Sequence, residues 1–302
     1  MGEPAVVARQ LGKKLGMSWV LRGLDMEVPH GCVYGLVGRN ASGKSTMLNL
    51  LAGLLAADEG SCLIHGHDPS ARRRETASHI TYVDQAKTMY GHLTVGQMIG
   101  FMRGLSPNWS AAIAAKYIRV PAETRVRALS KEGRVQLAYG LAAARRTPIL
   151  MIDEPTTNLD PVAVQQILRS LIQDCVSEGS TVLIASHELE EMSQVCERIG
   201  VLHGGKLCHE FLLEDIVSNC GVITALQPLV EVAGIADILR ARPLQGSVRY
   251  LVKKNCREVA AELATRGVKI LDVQSVTLRS LYVELLEDLP LNVAASPIEQ
   301  GA

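Results

Sequence analysis

Gly38-Arg39-Asn40-Ala41-Ser42-Gly43-Lys44-Ser45 matches the pattern G-x-x-x-x-G-K-[ST], and an apolar, strand-like run, Cys32-Val33-Tyr34-Gly35-Leu36-Val37, leads directly into it. This order of strand, tight glycine turn and helix points a set of backbone N–H groups inward at a helix N-terminus, which is what a compact, multiply charged anion needs. Lys44 is placed to reach the terminal phosphates of a nucleoside triphosphate as a point charge. Ser45 offers its hydroxyl to Mg²⁺, and Thr46 follows in the same turn. Met47-Leu48-Asn49-Leu50-Leu51-Ala52-Gly53 continues as the helix whose positive dipole end faces the phosphates. An ordinary Gly/Ser-rich turn would need neither the strand before it nor the helix after it. The segment Gly38, Arg39, Asn40, Ala41, Ser42, Gly43, Lys44, Ser45 and Thr46 is therefore expected to bind a nucleoside triphosphate.

The first two thirds of the chain alternate short apolar β-branched runs with longer amphipathic stretches, the pattern of an α/β domain. Strand candidates are Ile80–Val83, Ile149–Ile152, Thr181–Ala185 and Ile199–Leu202, and the near-continuous apolar character of the last three suggests parallel strands buried on both faces. Between Thr94 and Tyr117 the composition turns helical, with openings at Leu93-Thr94 and Ser110-Ala111, which suggests a helical insertion, assigned to about residues 88–145. From about Glu214 the character changes again: Ser247–Val252 and Val268–Val273 read as strands separated by a helix-like Arg257–Thr265. The expected organisation is a nucleotide-binding α/β domain over 1–213 and an accessory α+β domain over 214–302.

The run Ile149-Leu150-Met151-Ile152 ends in two adjacent carboxylates, Asp153 and Glu154. Neighbouring side chains on a strand point to opposite faces, so the two acids can take different tasks. Asp153 can hold Mg²⁺ through water, and Glu154 can polarise the water that attacks a γ-phosphate. Set beside the glycine loop, the run Asp153-Glu154-Pro155-Thr156-Thr157-Asn158-Leu159-Asp160-Pro161 resembles the Walker B motif and D-loop of the ATP-binding cassette (ABC) ATPases. Ser186-His187-Glu188-Leu189 resembles their switch-histidine segment, and the resemblance spans roughly Val6 to Leu207.

This resemblance implies a P-loop NTPase fold of ABC type, with a mixed sheet core, a helical subdomain and a small C-terminal α+β appendage. It implies ATP and Mg²⁺ as cofactors. Gln85 matches the glutamine that contacts Mg²⁺ and the attacking water and links to the membrane subunit, and His187 the histidine that orients the γ-phosphate and Glu154. Asp160 would lie at the interface of a head-to-tail pair, formed with a second copy or a homologous subunit. The catalytic set implied is Glu154, His187 and Gln85, and the metal set Ser45, Gln85 and Asp153.

Two positions depart from the family pattern. The signature segment, usually close to LSGGQ, is here Leu129-Ser130-Lys131-Glu132-Gly133-Arg134-Val135-Gln136, with Glu132 replacing the second glycine and a glycine one place later. In the family the signature serine and nearby amides cap the γ-phosphate held by the other subunit, a role that falls to Ser130. A carboxylate about 4 Å from that phosphate would cost roughly 4 kcal/mol at an effective dielectric near 20, unless Glu132 swings outward or Lys131 offsets it. The second departure is Leu15, where the family usually stacks an aromatic ring on adenine. A base stack contributes about 1–3 kcal/mol, so base affinity should fall unless Trp19 substitutes.

Other features exclude as much as they imply. Lysine and arginine number 31, as do aspartate and glutamate, and the formal net charge of +0 gives no electrostatic reason to expect a nucleic-acid partner, although Arg72-Arg73-Arg74 is a local basic patch. Seven cysteines without a C-x-x-C pair read as scattered reduced thiols. Met1-Gly2-Glu3-Pro4 lacks the features of a secretory signal and no apolar run reaches bilayer length, so a membrane role is expected to come through a partner. His65-Gly66-His67 reads as a surface loop, Val135–Ala142 as a buried helix, and Leu278, Leu281, Tyr282, Leu285 and Leu286 as the packed face of a C-terminal helix.

The expected function is the ATP-hydrolysing subunit of an exporter-type ABC transporter, held on the cytoplasmic face of the membrane by a separate integral permease that docks on Gln85–Gly104. Two alternatives stand beside it. One is an ATP-gated binding or regulatory subunit with little turnover, motivated by Glu132. The other is a cassette acting on ribosomes or DNA, a class that usually carries two fused cassettes or a coiled-coil insertion, neither of which is evident here.

Overall fold

The computed structural model describes residues 3–71, 76–156, 161–226, 235 and 237–286, with the backbone alone for 161–164. Arg72-Arg73-Arg74 and Asp160 lie outside the described residues. The chain divides into two compact units, Met1–Glu210 and Phe211–Ala302.

The first unit carries a six-stranded sheet in the order β5-β6-β7-β3-β8-β9. Its strands are β3 (Val33–Val37), β5 (Ile80–Val83), β6 (Ile149–Asp153), β7 (Thr181–Ser186), β8 (Arg198–His203) and β9 (Lys206–Leu212). β5/β6, β6/β7, β3/β7 and β3/β8 all pair in parallel, as the apolar runs anticipate. Every residue of β3, β6 and β7 is buried, because parallel strands with helices crossing over both faces have no wet side. β9 returns beside β8 after the turn at Gly204-Gly205.

A separate antiparallel sheet, β2-β1-β4, is built from β1 (Val6–Leu15), β2 (Ser18–Val28) and β4 (Glu59–Ile64). The strand patterns in the sequence miss it, and the reason is local: Gln10 takes φ 46°, and the β1/β2 register shifts between Ala8 and Leu11, which breaks the period-two alternation. Leu11, Leu21, Leu24 and Met26 of this sheet bury against Met47, Leu48 and Leu51 of α1 (Lys44–Leu51) and against Tyr34, Met151 and Leu183 of the parallel sheet. Removal of each such leucine from water contributes about 1.5–3 kcal/mol, so this layer anchors the glycine loop that lies between the two sheets in sequence.

The helical segment comprises α2 (Val95–Gly104), α3 (Ala111–Tyr117), a 3₁₀ turn at Val126–Ala128 and α4 (Lys131–Ala144). Thr94 and Ser110 are the N-caps that the sequence suggests: Thr94 forms a reciprocal capping box with Gln97, and Ser110 accepts from the N–H of Ile113. α4 buries Val135 and Leu137 through Ala144. α5 (Pro161–Ser177) and α6 (Leu189–Val195) follow β6 and β7.

The second unit is a four-stranded antiparallel sheet, β11-β12-β10-β13, made of β10 (Gly221–Leu226), β11 (Ile238–Leu244), β12 (Ser247–Val252) and β13 (Ile270–Ser275), with α7 (Leu213–Ser218), α8 (Cys256–Thr265) and α9 (Leu278–Leu286). The last strand begins two residues after the sequence places it. Gly267 at φ 87° ends α8, and the N–H of Val268 bonds back to the Leu263 carbonyl at 3.0 Å, which commits Val268 to the helix stop. Leu278, Leu281 and Leu285 form the buried stripe of α9. The loop reading of His65-Gly66-His67 holds for Gly66 and His67, which are exposed, but the His65 ring is packed on His30 with centroids 4.7 Å apart.

Candidate functional site

In a parallel sheet the C-terminal strand ends share one edge, and loops leaving that edge can meet around a ligand. The glycine loop leaves β3, Asp153-Glu154 ends β6, Ser186-His187 ends β7, and Gln85 lies two residues beyond β5. Because β7 lies between β6 and β3, Ser186-His187 is flanked by the glycine loop and the paired acids.

The loop itself has the backbone of an anion cradle. Gly43 N-caps α1 at φ 108°, no side chain caps that helix, and a Cβ at Gly43 would fall 2.6 Å from Leu21 Cδ2. The first-turn N–H groups of α1 are thereby left to a ligand. Gly38 is packed as tightly: a Cβ there would meet the Leu202 carbonyl and Ser42 Oγ, each at 2.5 Å. Ser42 Oγ is buried without a hydrogen-bond partner, an orphan of the kind that an anionic ligand oxygen would satisfy. Lys44 is 5% exposed, and its Nζ donates to the Gly38 carbonyl at 2.9 Å and the Arg39 carbonyl at 3.3 Å.

Glu154 joins the two halves of the site. One carboxylate oxygen lies 3.2 Å from Lys44 Nζ, and the other lies 2.7 Å from His187 Nδ1. Glu154 is buried, takes φ 46°, and donates its N–H to the Ala185 carbonyl of β7 at 2.8 Å. A buried charge is tolerated here because two cationic or donor groups face it. Asp153 is also buried; its carboxyl is raised above the usual range, first by burial and then by the charge of Glu154, against the opposing hydrogen bond from Ser45. Tyr82 donates to Asp153 Oδ2 at 3.4 Å, while Asp153 Oδ1 is buried with no partner. An orphaned carboxylate oxygen beside a serine hydroxyl at the foot of the glycine loop suits a hard divalent cation, so the residues present fit Mg²⁺.

Other expected residues stand differently. Gln85 is exposed, and its carbonyl accepts from Lys87 Nζ at 3.3 Å. Ser130 caps α4, its Oγ accepting from the N–H of Gly133 at 3.1 Å, so it does not join the Lys44 group. Glu132 is exposed in the first turn of α4, where a carboxylate is favoured by the helix dipole, and it accepts from Gln136 Nε2 at 3.4 Å, which turns it along the helix flank. Leu15 is 50% exposed, and the Trp19 ring is occupied by Lys14, whose Nζ lies 4.5 Å from the ring centroid. Sequence reasoning misses Tyr82, Tyr139 and Glu191. Tyr139 donates to the Pro155 carbonyl at 3.0 Å and Glu191 accepts from Thr156 Oγ at 3.1 Å. No motif marks them; the one available signal is a carboxylate inside the apolar face of Leu189-Glu190-Glu191-Met192.

The ABC transporter family model matches residues 21–157. The ABC transporter ATP-binding protein YtrB of Bacillus subtilis (strain 168) is 29% identical over 211 residues, which cover 69% of this chain and 72% of that protein. The lantibiotic transport ATP-binding protein SrtF of Streptococcus pyogenes is 30% identical over 204 residues, covering 67% and 88%. Among solved structures, an ATP-binding subunit of an ABC transporter superposes with a TM-score of 0.64 at 21% identity, over 70% of this chain and 91% of that one, a likeness of fold. With the loop, the paired acids and His187 gathered on one sheet edge, these likenesses agree: the chain belongs to the ATP-binding subunits of ABC transporters.

Proposed function

We propose that this subunit hydrolyses MgATP and, as one of a pair of cassettes, transmits closure of that pair to a separate integral membrane permease. The observation that carries the catalytic half is Glu154 held between Lys44 and His187. The phosphates lie along the loop amides of Gly38, Arg39, Asn40, Ala41, Ser42 and Gly43 and the first turn through Ser45 and Thr46. Arriving phosphates compete for the Lys44 ammonium with the Gly38 and Arg39 carbonyls and with Glu154. Glu154, relieved of that ion pair, accepts a proton from the attacking water while the bond between Pγ and the bridging oxygen breaks, leaving ADP and phosphate. His187 steadies Glu154 and the γ-phosphate. Ser45, Asp153 and Gln85 would hold Mg²⁺, which supplies charge neutralisation on the phosphates.

Ser130 and Asp160 would act across the paired interface. An exposed apolar group in the helical segment supports permease docking within Gln85–Gly104: Tyr90 and Phe101 are 53% and 43% exposed and meet edge to face at 5.5 Å. None of the helices formed by the described residues is long and apolar enough to cross a membrane, so peripheral attachment through the permease, on the cytoplasmic face, is the arrangement proposed. The Glu132 alternative of a low-turnover regulatory subunit is weakened by the outward course of that carboxylate. Steady-state MgATP hydrolysis by the purified chain, alone and with its co-purified permease, tests the reading: no hydrolysis in either preparation overturns it.

A further inference from the structure

Glu154 is a non-glycine residue in the left-handed region, at φ 46°, and it precedes a proline that cannot donate a hydrogen bond. Such a backbone persists only where its surroundings over-determine it. Upstream the Glu154 N–H is tied to the Ala185 carbonyl. Downstream the chain is gripped twice within two residues: the Tyr139 hydroxyl donates to the Pro155 carbonyl at 3.0 Å, and Thr156 Oγ donates to Glu191 Oε2 at 3.1 Å. Tyr139 comes from α4, the helix capped by Ser130, and Glu191 from α6, the helix that follows His187.

Both gripping residues are buried, Tyr139 at 0% exposure and Glu191 at 3%. Glu191 is also an expensive way to hold a threonine, because its second oxygen, Oε1, is buried with no partner. A carboxyl group desolvated for one hydrogen bond, whether protonated or ionised, is not explained by stability, since an apolar side chain of similar size would cost less. It is explained if the position of the chain just after Glu154 matters to the chemistry.

We propose that Tyr139 and Glu191 are positioning residues, which clamp Pro155 and Thr156 and so hold the Glu154 carboxylate in line with Lys44 and His187. The clamp joins the signature helix and the switch helix to the same two residues, so a shift of either helix is felt at Glu154. The inference rests on the hydrolytic reading above.

The test uses the full chain, with kcat and KM for MgATP hydrolysis, MgATP Kd by calorimetry and Tm measured for E191A, E191Q, Y139F and E154Q. Misplacement of a reacting group costs up to about 10²-fold in rate. E191A is expected to lower kcat roughly 10- to 100-fold with Kd within about threefold of wild type, and E191Q, whose amide oxygen still accepts from Thr156, to recover most of that loss. Y139F is expected to lower kcat by roughly tenfold, again at nearly constant Kd. Wild-type kcat in both E191A and Y139F overturns the clamp, as does E191Q failing as badly as E191A. If E191A does not fold, wild-type kcat in Y139F alone overturns it. The underlying reading fails separately: hydrolysis unaffected by E154Q removes Glu154 from the chemistry whatever the clamp variants do.

Discussion

Glu154 and His187 meet at 2.7 Å between Oε2 and Nδ1, although one follows β6 and the other follows β7. The contact is made possible by parallel pairing of the two strands, with Asp153 opposite Ala185, which brings both loops out at one edge. The other Glu154 oxygen faces Lys44 Nζ at 3.2 Å, so the one carboxylate links the histidine that follows β7 to the lysine of the glycine loop.

Glu154→Gln keeps the shape and removes the basic oxygen. Hydrolysis is expected to fall by about 10²-fold or more, within the range assigned to a general base, while MgATP Kd stays within a few fold. Single-turnover assays beside calorimetric titration check it; a parallel loss of rate and affinity would instead mean that the Lys44 contact is the part that matters.

Glu132→Gly removes a carboxylate from the face expected to meet the partner's phosphates. Its exposed position and its contact with Gln136 reduce the repulsion well below the unscreened figure of about 4 kcal/mol. The ATP-dependent dimer is therefore expected to tighten by about tenfold at low salt, and by less as salt rises. Analytical ultracentrifugation of E154Q against E154Q/E132G with MgATP, across a salt series, measures this.

Leu15→Tyr offers the base an aromatic face at a position that is half exposed. At about 1–3 kcal/mol per stacked base, ATP affinity is expected to rise by about five- to 150-fold, with a smaller change for triphosphate lacking the base. Trp19→Ala should leave ATP affinity nearly unchanged, since Lys14 already covers that ring. Competitive titration with ATP and inorganic triphosphate separates the two positions.

Glu191 is raised from 4.5 to about 7, by burial first and then by the charges of Glu188 and Glu154, against the Thr156 hydrogen bond and His187. The folded chain thus keeps a proton that the unfolded chain releases near 4.5, so stability from this group is lost as pH rises from about 4.5 through about 7. Glu191→Gln has no such proton. Its Tm is expected to gain on the wild type as pH rises through that window and to hold a constant lead above it; a Tm difference independent of pH, followed by calorimetry, refutes the assignment.

The parts legible in the sequence are those whose physics is local. The glycine loop needs consecutive residues with particular backbone freedom, and the caps Thr94 and Ser110 act on N–H groups three residues away. β1 and β2 are less legible because Gln10 interrupts their alternation, and the start of β13 is missed because Val268 serves the end of α8. Tyr139 and Glu191 give no motif at all, since each acts on a residue far along the chain.

By itself the amino-acid order determined that a phosphate-binding turn follows one strand, that two acids end another and that a histidine follows a third, because neighbours in sequence are neighbours in a strand or a turn. Which of these meet was decided by tertiary structure alone. Only the strand order β6-β7-β3 sets Glu154 between Lys44 and His187, and only the packing of α4 and α6 clamps the chain behind it. Such contacts depend on how sheets and helices bury their apolar faces together, which no single stretch of residues specifies.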